Sequence, residues 1–146
     1  KRTIYDGPHS GQISFPGGKP VSSDSGLWDT AKREFKEELG VDLSSASPLL
    51  TLSRVYIPPS NFLVTPFVAV SKKKPFFQLD SREVALQINI SLDELIHLNI
   101  KQCPILDGTY KGVVVPCYIY KGQMIWGATA MILSEFMLFL KERTII

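Results

Sequence analysis

The chain has 146 residues, 45% of them hydrophobic and 21% charged, a composition that suits a single globular domain over residues 1–146 with a sizeable core. A formal net charge of +2 argues against a nucleic-acid or membrane-surface partner, and no run of eighteen or more apolar residues reads as a membrane span. Cys103 and Cys117 have no metal-ligand spacing and suit reduced thiols, so a cytoplasmic setting is expected.

In chain order, Lys1 to Ser10 reads as a strand end and a loop built on Asp6-Gly7-Pro8, and Gln12 to Phe15 as a short strand running into Gly17-Gly18. A helix is expected next. Ser22 to Ser25 supply capping residues, Gly40 is suited to end the helix in the left-handed conformation, and Trp28, Ala31, Phe35 and Leu39 form an apolar stripe opposite Thr30, Arg33 and Lys36. Glu34, Glu37 and Glu38 form a second, acidic stripe on the same helix. Three carboxylates so close repel one another, so the pattern calls for a cation, and a hard divalent metal fits best.

After a serine-rich connection at 43–48, Leu49 to Ile57 and Phe62 to Val70 read as two strands of a hairpin around Pro58-Pro59-Ser60-Asn61. Lys72-Lys73-Lys74 reads as a solvated turn. Val84, Leu86, Ile88 and Ile90 alternate with polar or small residues, the period of a strand with one buried face. Ser91 and Glu94 make a capping box at the start of a short helix. Val113 to Tyr120 and Gln123 to Trp126 form a hairpin around Lys121-Gly122, and the closing helix, about Ala128 to Arg143, is apolar on several sides, which implies deep burial or a homodimer contact. Helices interspersed with strands place the chain in the α/β class, as an α/β/α sandwich around a mixed β-sheet.

Arg33 to Val41, R-E-F-K-E-E-L-G-V, resembles the second half of the Nudix box at every fixed position. The first half differs by one extra residue between Gly18 and Arg33, with Asp24 in place of the usual first glutamate. That variation, with His9-Ser10-Gly11-Gln12-Ile13-Ser14-Phe15-Pro16-Gly17-Gly18 ahead of it and further landmarks at Tyr56 to Ser60, Arg82 to Val84 and Ile125 to Ala130, resembles the branch that includes coenzyme A pyrophosphatases. Gly7 stands where members that cleave coenzyme A usually carry arginine.

The resemblance implies a Nudix fold and Mg2+- or Mn2+-dependent hydrolysis of a diphosphate bond in a small-molecule nucleotide derivative, with coenzyme A or a relative of it as the first candidate. Other dinucleotides, nucleotide sugars and nucleoside triphosphates are the alternatives, along with a module that binds a nucleotide without cleaving it. The resemblance also implies an additional strand ahead of Lys1. By its logic Glu34, Glu37, Glu38 and the Gly18 carbonyl hold metal, and Arg33 orients a carboxylate. The general base is a box glutamate, Glu37 or Glu38, or the later acid Glu83, which reads equally well as an exposed loop carboxylate. His9, Arg54 and Arg2 are candidate substrate contacts.

Overall fold

A computed structural model describes the whole chain except residues 8, 73, 107, 109 and 144–146 and the side chain of Arg143. Pro8 of the expected loop and Lys73 of the lysine run therefore lie outside the described residues. The chain divides into two compact units, Lys1–Ile88 and Asn89–Ile146. Its secondary structure is mixed α and β, and every strand pairing among the described residues is antiparallel.

The first unit is built on helix α1, Leu27–Leu39. Its N-cap is Gly26, with no side chain capping it, so the expected serine cap is not used. The nearby acid Asp24 instead accepts the Val21 N–H at 3.0 Å and the Thr30 hydroxyl at 2.9 Å. Thr30, expected on the outer side, is consequently the one buried residue of the helix, its hydroxyl satisfied by that carboxylate. Trp28 meets the Phe67 ring edge-on at 5.4 Å, a contact worth about 1 kcal/mol beyond its burial. The helix ends at Gly40, with φ 70° and its N–H on the Lys36 carbonyl.

Strands β1 (Pro48–Thr51), β2 (Val55–Ile57), β3 (Phe62–Val64) and β4 (Phe67–Ala69) form one long hairpin interrupted midway. β2 pairs with β3 around a 3-10 turn at Pro58–Ser60, and β1 pairs with β4. The break falls at Pro66, which has no N–H to give a ladder, while its carbonyl still accepts the Leu52 N–H at 3.0 Å. Two expected strands are not formed. Gln12 to Phe15 is irregular, and of the alternating stretch from Val84 only a bridge to Arg2 is present. A strand needs a partner as long as itself, and here the partner is the short segment 1–3.

The second unit opens with α2, Leu92–Ile96, whose capping box is complete: Glu94 N–H donates to Ser91 Oγ and Ser91 N–H to Glu94 Oε2, each at 3.2 Å. Strands β5 (Lys101–Pro104), β6 (Val114–Tyr120) and β7 (Gln123–Trp126) form a sheet in the order β5-β6-β7. Lys121 and Gly122, at φ 47° and 76°, make the tight β6–β7 turn. Helix α3, Gly127–Arg143, buries Ala130, Ile132, Leu133 and Met137 and leaves Met131 and Leu138 exposed. The expectation of reduced thiols is overturned: Cys103 and Cys117 are disulfide-bonded across β5 and β6, with Cα atoms 6.0 Å apart. Fourteen residues of separation in sequence do not reveal this, because only the strand register brings the two positions together. No helix among the described residues is long and apolar enough to cross a membrane.

Candidate active site

Two carboxylates of the acidic stripe of α1, Glu34 and Glu38, face the glycine loop, and Arg33 organises the stripe. Its Nη1 donates to Glu34 Oε1 at 2.7 Å and to Glu37 Oε2 at 3.2 Å. Its Nε and Nη2 donate to the two oxygens of Asp24, each at 3.1 Å, and Nη2 also to the Lys19 carbonyl at 2.9 Å. The guanidinium thus joins one end of the loop to the helix. Asp24 is only 5% exposed, and Arg33, first among several partners, holds its pKa down to about 2. Asp24 in turn raises the pKa of Arg33 above the ordinary guanidinium value, with Glu34 the next cause.

The three glutamates occupy different environments. Glu34 is 16% exposed and lies against Gly18, where an added Cβ would overlap its carboxylate and push that side chain out of its present position. Glu37 is 57% exposed and faces outward. Glu38 is partly buried, and its carboxylate accepts one long bond, 3.4 Å, from the Gly17 N–H. Burial raises its pKa; the Gly17 bond and the charge of Arg2 oppose this, while Glu83 and Glu34 add to it.

Glu83 and Arg2 reach Glu38 by a continuous backbone route. The Gln78 and Asp80 N–H groups cap the helix end by donating to the Leu39 and Glu38 carbonyls, each at 2.9 Å. A turn follows, in which the Glu83 and Val84 N–H groups donate to the Asp80 carbonyl. The chain then pairs with segment 1–3, with Thr3 N–H on the Glu83 carbonyl at 3.0 Å and Ala85 N–H on the Lys1 carbonyl at 2.9 Å. Gly40 is required here too, since a Cβ would meet the Gln78 carbonyl oxygen at 2.7 Å.

His9 is tied to Gln12, the residue whose backbone holds segment 1–3. Its Nδ1 is 3.1 Å from Gln12 Oε1, and Gln12 accepts the Arg2 N–H through its own carbonyl. His9 Nε2 and Arg2 Nε are buried without hydrogen-bond partners among the described residues, and of the two Arg2 is near enough for its charge to act on Glu38. Arg54 is exposed in the break between β1 and β2, and among the described residues no hydrogen bond or ion pair joins it to α1. A Cβ at Gly7 would meet the Tyr5 ring at 2.8 Å, so an arginine there would have to displace that ring. The place of Asp24 in the box was the signal in the sequence for its tie to Arg33. Lys19, discussed below, gave none.

The donor set fits a hard divalent cation. Among the described residues no three acidic, histidine or cysteine side chains are already gathered at ligating distance. Yet Glu38 is a half-buried carboxylate with Glu34 and Glu83 adding repulsion, and carboxylate and carbonyl oxygens are what Mg2+ or Mn2+ takes.

Carboxylates on one helix, a glycine loop lying against two of them and one arginine joining loop to helix make up the candidate site. The chain belongs to the Nudix hydrolase family, a class of pyrophosphohydrolases: the family's sequence profile, the NUDIX domain, matches residues 1–105. It is 37% identical over 137 residues to a protein named Nudix hydrolase NudL from Yersinia enterocolitica, a match spanning 92% of this chain and 69% of that one. Proteins of the same name from Yersinia pestis and Yersinia pseudotuberculosis are also 37% identical, over 130 residues, and there the chain spans 63% of their length.

Proposed function

We propose that this chain hydrolyses the diphosphate linkage of a nucleotide derivative, with coenzyme A or a related molecule as the first substrate to try. The observation that carries the reading is the half-buried Glu38, with Glu83 and Arg2 near enough to act on its charge, beside a glycine loop in which Gly17 donates to it and Gly18 lies against Glu34. Glu34, Glu37, Glu38 and the Gly18 carbonyl would hold Mg2+ or Mn2+, which when bound supplies charge neutralisation and lowers the pKa of a coordinated water. In this reading Arg33 fixes Glu34 and Glu37 while Asp24 keeps Arg33 in place. Arg2 offers positive charge to the phosphates, and His9 offers Nε2.

Water adds at one phosphorus, the bridging P–O bond breaks, and two monophosphates result. The proton lost by the water passes to Glu83, the carboxylate near Glu38 that is not among the proposed metal ligands. The test is product detection with Mg2+ and a panel of coenzyme A, dinucleotides, nucleotide sugars and nucleoside triphosphates, comparing the chain with Glu38→Gln. Turnover of one member that is lost in the variant supports the reading. Binding of a panel member without turnover by the unaltered chain would replace it with a nucleotide-binding module.

A further inference from the structure

We propose that Lys19 is a substrate-binding residue that holds a phosphate oxygen of the anionic substrate, an inference that rests on the proposed hydrolase reading. The cations on and near α1 are mostly committed to carboxylates. Lys32 pairs with Asp29 at 2.8 Å, Lys36 with Asp42 at 2.9 Å, and Arg33 with Asp24, Glu34 and Glu37. Further along the chain, Arg82 pairs with Asp80 at 2.6 Å. Lys19 differs. Among the described residues its ammonium makes no ion pair and no hydrogen bond, and it rests over the Phe62 ring, 5.0 Å from the centroid. Such a contact holds a cation weakly and leaves its hydrogen-bond donors open.

Its position is nevertheless well fixed. The Lys19 carbonyl accepts from Arg33, and the residue before it is Gly18, which lies against Glu34. The Phe62 ring stands at the start of β3, where the hairpin tip is fixed by Asn61 at φ 54° and by the Tyr56 hydroxyl on Asn61 Oδ1 at 2.9 Å. A flexible four-carbon stem anchored beside the acidic cluster can carry an unpaired positive charge from the ring to a phosphate held at that cluster. The sequence favours keeping this charge uncommitted, because a substrate bearing several negative charges must approach a helix face with three glutamates.

The test is steady-state kinetics of the full chain, on whichever panel member it cleaves, for Lys19→Met and Lys19→Arg at several ionic strengths. A charge-assisted hydrogen bond contributes on the order of tenfold or more in affinity. Lys19→Met should therefore raise KM about tenfold with kcat within about twofold, and should flatten the rise of KM with salt. Lys19→Arg should restore most of both, which a purely structural role would not produce. Unchanged KM and salt dependence in Lys19→Met would overturn the inference. If the unaltered chain cleaves nothing, the hydrolase reading fails separately, and calorimetric titration with inorganic pyrophosphate then decides for Lys19: weaker binding by Lys19→Met upholds it, and equal binding overturns it.

Discussion

The two units of the chain achieve order by different means. In the second, eleven apolar side chains among the described residues are buried, including Leu95, Ile105, Tyr118, Ile125, Leu133 and Met137, under continuous strands and a long helix. In the first, Leu52 and Val55 are the only buried apolar residues among those described, strands are short and interrupted, and the backbone is held by Asp24, Arg33, Asp80 and the glycine contacts. The site residues all lie in the first unit. Polar clamps hold backbone in shapes that regular ladders exclude, and a site that must bring carbonyls and carboxylates together needs such shapes, at the cost of a thinner apolar core.

That contrast can be broken or sharpened by substitution. The largest effect is expected from Glu38→Gln, which removes one charge from the proposed metal cluster without changing shape. Turnover should fall roughly 10³-fold, since several kcal/mol of transition-state stabilisation are at stake, while the thermal midpoint holds or rises slightly because a poorly neutralised buried charge is gone. Assay and differential scanning of one sample check both. Next, Cys103→Ser should destabilise the second unit by about 3 kcal/mol, the contribution expected for closing a loop of this length, and treatment of the unaltered chain with reductant should reproduce the shift in a denaturation curve.

Asp24→Asn should lower turnover about tenfold, as expected when an outer carboxylate that orients a site is neutralised, read from kcat/KM. It carries a pH signature as well. A carboxylate held at about 2 contributes stability that is present above its ordinary value of 3.8 and is lost as pH falls toward 2. The acid-unfolding curve of the variant should therefore be flatter between pH 4 and 2 than that of the unaltered chain. The smallest effect belongs to Ser91→Ala, which removes one arm of the capping box and should cost about 1 kcal/mol in urea denaturation with turnover unchanged.

Much of this was legible in the sequence where a local rule governs. The α1 stripe, the Gly40 cap, the Ser91–Glu94 box, the Lys121-Gly122 turn and the length of α3 each follow from residues within one or two turns of one another. The resemblance carried by Arg33 to Val41 pointed to the family that the profile match shows. What was missed depends on distant partners. The alternation from Val84 has the period of a strand, but a ladder forms only as far as segment 1–3 can accompany it. Serines 22, 23 and 25 look like caps, but Asp24 makes the competing bonds. The Cys103–Cys117 bond is set by register, and β5 itself, short and ending in proline, gave no periodic signal. At the candidate site the helix residues were readable, whereas the positions of Arg2 and Glu83 depend on backbone bonds across dozens of residues, and that of Lys19 on a side-chain bond from Arg33.

The backbone route from the end of α1 to Glu83 sets a limit on how this sequence can vary in length. Asp80 is tied to the Glu38 carbonyl, and Glu83 follows one turn later with its N–H tied back to Asp80. The spacing between the two carboxylates is thus counted in residues of main chain. Substitutions at Ser81 or Arg82 leave that count intact, but a single insertion or deletion between Asp80 and Glu83 would swing Glu83 away from Glu38 while sparing every side chain of the acidic helix. Such a variant would keep the whole box motif and lack one of its carboxylates in space, so the presence of the motif alone does not certify a working arrangement.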